Sequence, residues 1–151
     1  MKPNKLKQKL AAGKTVFGAL IFLPEPGLVE ILGYAGYDFA LLDLEHSEIN
    51  LNALPSMIRA ADAVGITPIV RIGEQSSNRV AKALDAGAHG ILAPHVKDAQ
   101  DAKTFVAWTK YPPLGTRSTC TAVRAIQYSA ADIPQHLQES NENVLFIALI
   151  E

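Results

Sequence analysis

The sequence predicts an α/β protein with a parallel sheet of the (β/α)8 barrel type, here its N-terminal five strands preceded by an N-terminal helix. Three observations lead there. Short apolar runs alternate with segments of helical spacing, and every parallel crossover needs such a helix. The runs are near-continuously apolar, the pattern of strands covered on both faces. Ionisable side chains recur where the runs end, and parallel α/β folds build their sites at the carboxyl ends of strands.

Residues 4–12 have the composition of a short helix, with Leu6 and Leu10 on one face and Gly13 as its stop, placed to plug or flank the fold. Residues 15–23 read as a first strand, closed by Pro24-Glu25-Pro26. A helix over 26–35 carries its proline in the first turn, where one is tolerated, and ends before Gly36. The second strand runs from Asp38 through Phe39-Ala40-Leu41-Leu42 and breaks off in Asp43, Glu45 and His46. Helical spacing over 51–64, an apolar run over 66–72, a helix over 76–86 stopped at Gly87, and a strand over 90–94 continue the alternation. Residues 98–110 form a helix with Asp98 as its cap; 111–117 are a loop. Residues 118–128 have no clean period and read as a long loop, 131–138 as a short helix, and 144–150 as the fifth strand. Five such units suit an open doubly wound sheet or the first five of a barrel of about 250 residues. A self-contained sheet would cover its last strand with a helix, whereas this run ends in a bare Glu151, so the expectation is the N-terminal part of a barrel, residues 1–151 as a single domain.

The bulk properties exclude several classes. With 48% hydrophobic and 19% charged residues and a net charge of -1, the chain has no basic excess to bind nucleic acid or a membrane surface. No apolar run approaches the ~20 residues that span a bilayer. Cys120 has no second cysteine to pair with and no histidine near it in sequence, which fits a reducing cytoplasm and an inert thiol.

The strand tips carry the candidate chemistry: Asp43, Glu45 and His46, then Arg71, then His95, then Glu151. Converging on one mouth, they supply a base, a cation and carboxylates within a cleft. Arg71 sits in the apolar run Pro68-Ile69-Val70-Arg71-Ile72, where an unpaired charge is costly, so it needs an anion. A substrate carboxylate, a developing enolate, Asp43 or Glu45 would each serve. His46 suits a base or a metal ligand, and His95 is the weaker histidine; His89 and His136 receive no role.

With those residues in place the chain resembles the metal-dependent class II pyruvate aldolases of the HpcH/HpaI family. The resemblance runs from end to end, on Gly36-Tyr37-Asp38-Phe39 leading into Asp43-Leu44-Glu45-His46, Pro68-Ile69-Val70-Arg71, Leu84-Asp85-Ala86-Gly87-Ala88, Tyr111-Pro112-Pro113-Leu114-Gly115-Thr116-Arg117 and the final Ile150-Glu151. It implies His46 as catalytic base, Arg71 as enolate-stabilising arginine, Asp85 as the acid that tunes a histidine, and Glu151 as the first of two carboxylate ligands of a divalent ion (Mg2+, Mn2+ or Co2+). The family's second ligand lies about a strand beyond Glu151. Leu149 stands where relatives often have a substrate-binding glutamine, and Ser118-Thr119-Cys120 where many have a glycine-rich run. The implied reaction cleaves a 2-keto-4-hydroxy acid to pyruvate and an aldehyde. The helix over 76–86 ends away from the catalytic mouth, so Asp85 is expected to act, if it does, on a histidine of a neighbouring subunit of a homo-oligomer. The rivals are a citrate-lyase-like or malyl-CoA-lyase-like enzyme handling thioesters, and a non-catalytic binding module of flavodoxin-like shape.

Overall fold

The computed structural model describes residues 3–151. Its elements follow in the order α1 (Lys5–Ala11), β1 (Gly18–Ile21), α2 (Pro26–Tyr34), β2 (Phe39–Asp43), α3 (Leu54–Val64), β3 (Thr67–Arg71), α4 (Ser77–Asp85), β4 (Gly90–Ala93), α5 (Ala99–Thr109), a 3-10 turn (Arg124–Ile126), α6 (Ile133–Asn143) and β5 (Leu145–Ala148). The five strands form one parallel sheet in the order β1-β2-β3-β4-β5. Spatial order equal to chain order distinguishes a barrel-type βα succession from a doubly wound sheet, whose order reverses at a switch point. The flavodoxin-like alternative is thereby corrected. No helix is long and apolar enough to cross a membrane among the described residues.

The continuous apolar runs are explained by what covers them. Leu42, Val70 and Ile91 have no exposed surface, and Leu54, Met57, Ile58, Val80, Ala83 and Leu84 pack onto the same core from the helices. Each fully buried aliphatic side chain of this kind stabilises the fold by roughly 1.5–3 kcal/mol. Register is set by this burial, because a one-residue slip would carry a strand's core set to the wrong face.

Helix α1 flanks the amino-terminal ends of the strands. Asn4 caps it by accepting from Lys7 N at 3.1 Å, and its buried amide donates to the carbonyls of His89 and Asn143, both at 2.9 Å. Leu6 is buried, whereas Leu10 is exposed, so only one of the two leucines meets the core. Helix α4 closes before Gly87, whose φ of +106° an L side chain would not accept.

Two stretches differ from expectation. The short helix over 131–138 is instead the eleven-residue α6, reaching Asn143. Its polar end, Glu139-Ser140-Asn141-Glu142-Asn143, has weak helix propensity. It is held by Gln135–Glu139 and Gln138–Glu142 pairs at 2.8 and 3.0 Å, and by Asn141, whose side chain accepts from Tyr111 N at 2.7 Å and donates to Tyr111 O at 3.1 Å. The long loop over 118–128 contains the 3-10 turn, pinned by burial of Ile126 and by an ion pair from Arg124 to Asp62 of α3.

Candidate functional site at the carboxyl ends of the strands

The site is assembled from the last residues of β2 and β3. Asp43 and Arg71 are partners in the parallel register, which places a carboxylate and a guanidinium side by side. Arg71 donates from Nε to Asp43 Oδ1 at 2.8 Å and from Nη2 to Oδ2 at 2.5 Å, the two-pronged geometry that a planar guanidinium favours. Asp43 is fully buried, and its oxygens also accept from the backbone N–H groups of Glu45 at 2.8 Å and His46 at 3.4 Å. Burial opposes ionisation of Asp43, but the Arg71 hydrogen bonds and charge together with those N–H groups outweigh it and hold the carboxyl below its ordinary pKa. The same pairing with Asp43 raises the pKa of Arg71 against the opposing effect of burial, with further support from the charges of Glu45 and Glu151.

Glu45 stands at the centre of the cluster. Its side chain is 7% exposed; Oε2 lies 3.3 Å from Arg71 Nε and 3.7 Å from His46 Nε2, and Oε1 lies 3.1 Å from His95 Nε2. His95 continues the chain, its Nδ1 3.0 Å from Glu151 Oε1. The close approach of β2 and the β3–α4 loop is permitted by Gly73, where an added Cβ would stand 2.6 Å from Leu44 O and 3.1 Å from Glu45 Cα. A hollow of about 390 Å3 beside the β2 tip is lined by Leu44, Ile49, Asn50, Leu51, Asn52 and Arg79. Another of about 470 Å3 lies at the other end of the sheet, against α1, away from this charge cluster.

Three of the four residues singled out from the sequence therefore meet here: His46, Arg71 and Glu151. Asp85 does not. It ends α4 toward the amino-terminal ends of the strands, and its carboxylate accepts from Arg117 Nη2 at 2.6 Å. That guanidinium is wholly buried and lies over the Tyr111 ring, 4.5 Å from its centroid. Glu45 and His95 carry more of the cluster than their sequence positions suggested. Both lie two residues past the end of a strand, among the strand tips at which the sequence places its ionisable side chains.

The chain is similar to known proteins. Residues 19–151 match the family model described as HpcH/HpaI aldolase/citrate lyase. The chain belongs to that family. A 5-keto-4-deoxy-D-glucarate aldolase from Salmonella paratyphi A is 33% identical over 149 residues, covering 99% of this chain and 57% of the relative. An HpcH/HpaI aldolase from Desulfitobacterium hafniense DCB-2 superimposes with a TM-score of 0.89 at 32% identity, over 97% of this chain and 56% of that one. The citrate synthase SbnG gives a TM-score of 0.82 at 36% identity, over 97% and 55%. The HpcH/HpaI chain described here thus spans a little over half the length of these relatives.

For a divalent ion, the carboxylate oxygens of Glu151 and Glu45 are the hard donors that magnesium or manganese prefers. Glu45 is taken up by Arg71 and His95, whereas Glu151 is 45% exposed and among the described residues only its Oε1 is engaged, leaving Oε2 for a ligand. Among the described residues no group of three or more His, Cys, Asp or Glu side chains is arranged to hold a metal. The donor set fits the ion in kind and supplies one ligand of it.

Proposed function

We propose that this chain belongs to a class II pyruvate aldolase that reversibly cleaves 2-keto-4-hydroxy acids to pyruvate and an aldehyde, with residues 1–151 forming the first five units of its barrel. The observation that carries the reading is a contact chain through Glu45 and His95 that brings a pre-aimed guanidinium, an accessible imidazole and a solvent-reaching carboxylate together at the strand tips. A divalent ion held by Glu151 and a second carboxylate supplies Lewis acidity to the keto acid when bound. Arg71 works beside it. With Nε and Nη2 engaged by Asp43, its Nη1 makes no hydrogen bond among the described residues and would donate to the enolate oxygen. A donor locked before reaction is worth most where negative charge develops.

In the cleavage direction the base removes the proton of the 4-hydroxyl, the C3–C4 bond breaks, its electron pair forms the enolate, and a proton returned to C3 gives pyruvate. His46, whose side chain is 67% exposed, moves that proton directly or through water. The enzyme would act in the cytoplasm on small molecules, as a homo-oligomer in which Asp85 approaches the histidine of an adjacent copy. A second reading follows from the likeness to SbnG, a citrate synthase: the enolate would be drawn from an acetyl thioester instead of pyruvate and add to the keto carbon of oxaloacetate, with water then releasing the thiol to leave citrate.

The test is pyruvate release from 2-keto-4-hydroxy acids by the intact protein, followed with a lactate dehydrogenase couple. Turnover should vanish on chelation and return with Mg2+, Mn2+ or Co2+. Undiminished turnover after chelation refutes the metal's part, and citrate formed from oxaloacetate and acetyl-coenzyme A without any aldol cleavage favours the second reading.

A further inference from the structure

His95 takes no part in the chemistry above, yet three constraints meet on it. Its φ is +55°, a backbone conformation that non-glycine residues hold only where the surroundings over-determine it. Gln75 Nε2 donates to its carbonyl at 3.2 Å, and its own N–H points at Glu151 Oε1 at 3.4 Å. Its ring then spans two acids, Nε2 3.1 Å from Glu45 and Nδ1 3.0 Å from Glu151.

The two acids are held very differently. The Glu45 side chain is little exposed and is gripped from its other side by Arg71 at 3.3 Å. Glu151 is 45% exposed, and its only hydrogen bonds or ion pairs among the described residues are those to His95. A glutamate side chain without a partner spreads over several rotamers. The series Asp43–Arg71–Glu45–His95–Glu151 therefore runs from a buried pair out to an exposed acid, and His95 is the link before that acid.

We propose that His95 is a positioning residue that fixes the Glu151 carboxylate relative to Glu45, presetting the mouth before substrate arrives. The job it serves rests on the reading of Glu151 as a metal ligand, where orienting partners behind the ligand commonly change metal affinity. The positioning itself does not depend on that reading.

The experiment uses the intact protein with 13C-labelled glutamate carboxyls, first without metal, the Glu151 resonance being assigned by its loss in Glu151→Gln. His95→Asn tolerates the left-handed backbone but is too short to span both acids. It should move the Glu151 resonance to that of a solvated glutamate, and His95→Gln, long enough to donate to the carboxylate, should restore most of the displacement. Mn2+ binding followed by electron paramagnetic resonance should weaken by ~10–100-fold in His95→Asn and recover in His95→Gln. A Glu151 resonance unchanged in His95→Asn overturns the proposal. A resonance that moves in a protein whose parent binds no Mn2+ supports the positioning and overturns instead the assignment of Glu151 to a metal.

Discussion

Asp43→Asn removes one charge at almost no change in volume, and the geometry fixes what that costs. The carboxylate has no exposed surface and accepts from Arg71 Nε, Arg71 Nη2 and the backbone N–H groups of Glu45 and His46. Asparagine keeps one acceptor and turns the other into an NH2 group facing an N–H donor. The carboxylate left beside Arg71 is then that of Glu45, at 3.3 Å. Removing one partner of a buried pair costs ~3–5 kcal/mol, and because Glu45 offsets part of the loss we expect about 3. With a urea dependence of ~2 kcal/mol/M, the unfolding midpoint at pH 7 should fall by roughly 1.5 M. The pH dependence has a definite sign. The Asp43 carboxyl is held below its ordinary pKa of about 3.9, so its stabilisation is fully present above that value and is lost as pH falls through the depressed one. Parent and variant should therefore converge in acid. Urea titrations followed by circular dichroism from pH 7 downward measure both effects. A midpoint shift under ~0.3 M at pH 7, or a gap that widens toward acid, refutes the reasoning.

Arg71→Lys keeps the charge but loses the fork, and should lower the exchange of pyruvate methyl protons with deuterated water by about 10²–10³-fold with little change in pyruvate affinity, read by NMR. Gly73→Ala forces a Cβ to within 2.6 Å of Leu44 O, which must shift the β2 tip and Glu45 with it; kcat should drop sharply, and an unchanged kcat would show that the tip yields freely. Asp85→Asn leaves the buried Arg117 guanidinium without its carboxylate and should cost ~1–3 kcal/mol in thermal unfolding, whereas a purely catalytic Asp85 would leave the melt unchanged.

The sequence by itself determined the βα succession, because unbroken apolar runs such as Leu41-Leu42 and Ile69-Val70 are the pattern of parallel strands, and helical spacing between them leaves a parallel sheet as the outcome. It also marked the strand tips, since charges such as Arg71 stand out against apolar neighbours. Tertiary structure alone decided how those charges are shared. Nothing in the spacing says that Asp43 and Arg71 lie in register, that Glu45 turns inward while His46 faces water, or that His95 reaches two acids from strands on either side. The extent of α6 was likewise settled by Asn141 on the Tyr111 backbone, a bond between residues 30 apart. Local propensity and periodicity are properties of neighbours in sequence; the pairing of buried charges depends on which strands lie side by side, and only the folded sheet fixes that.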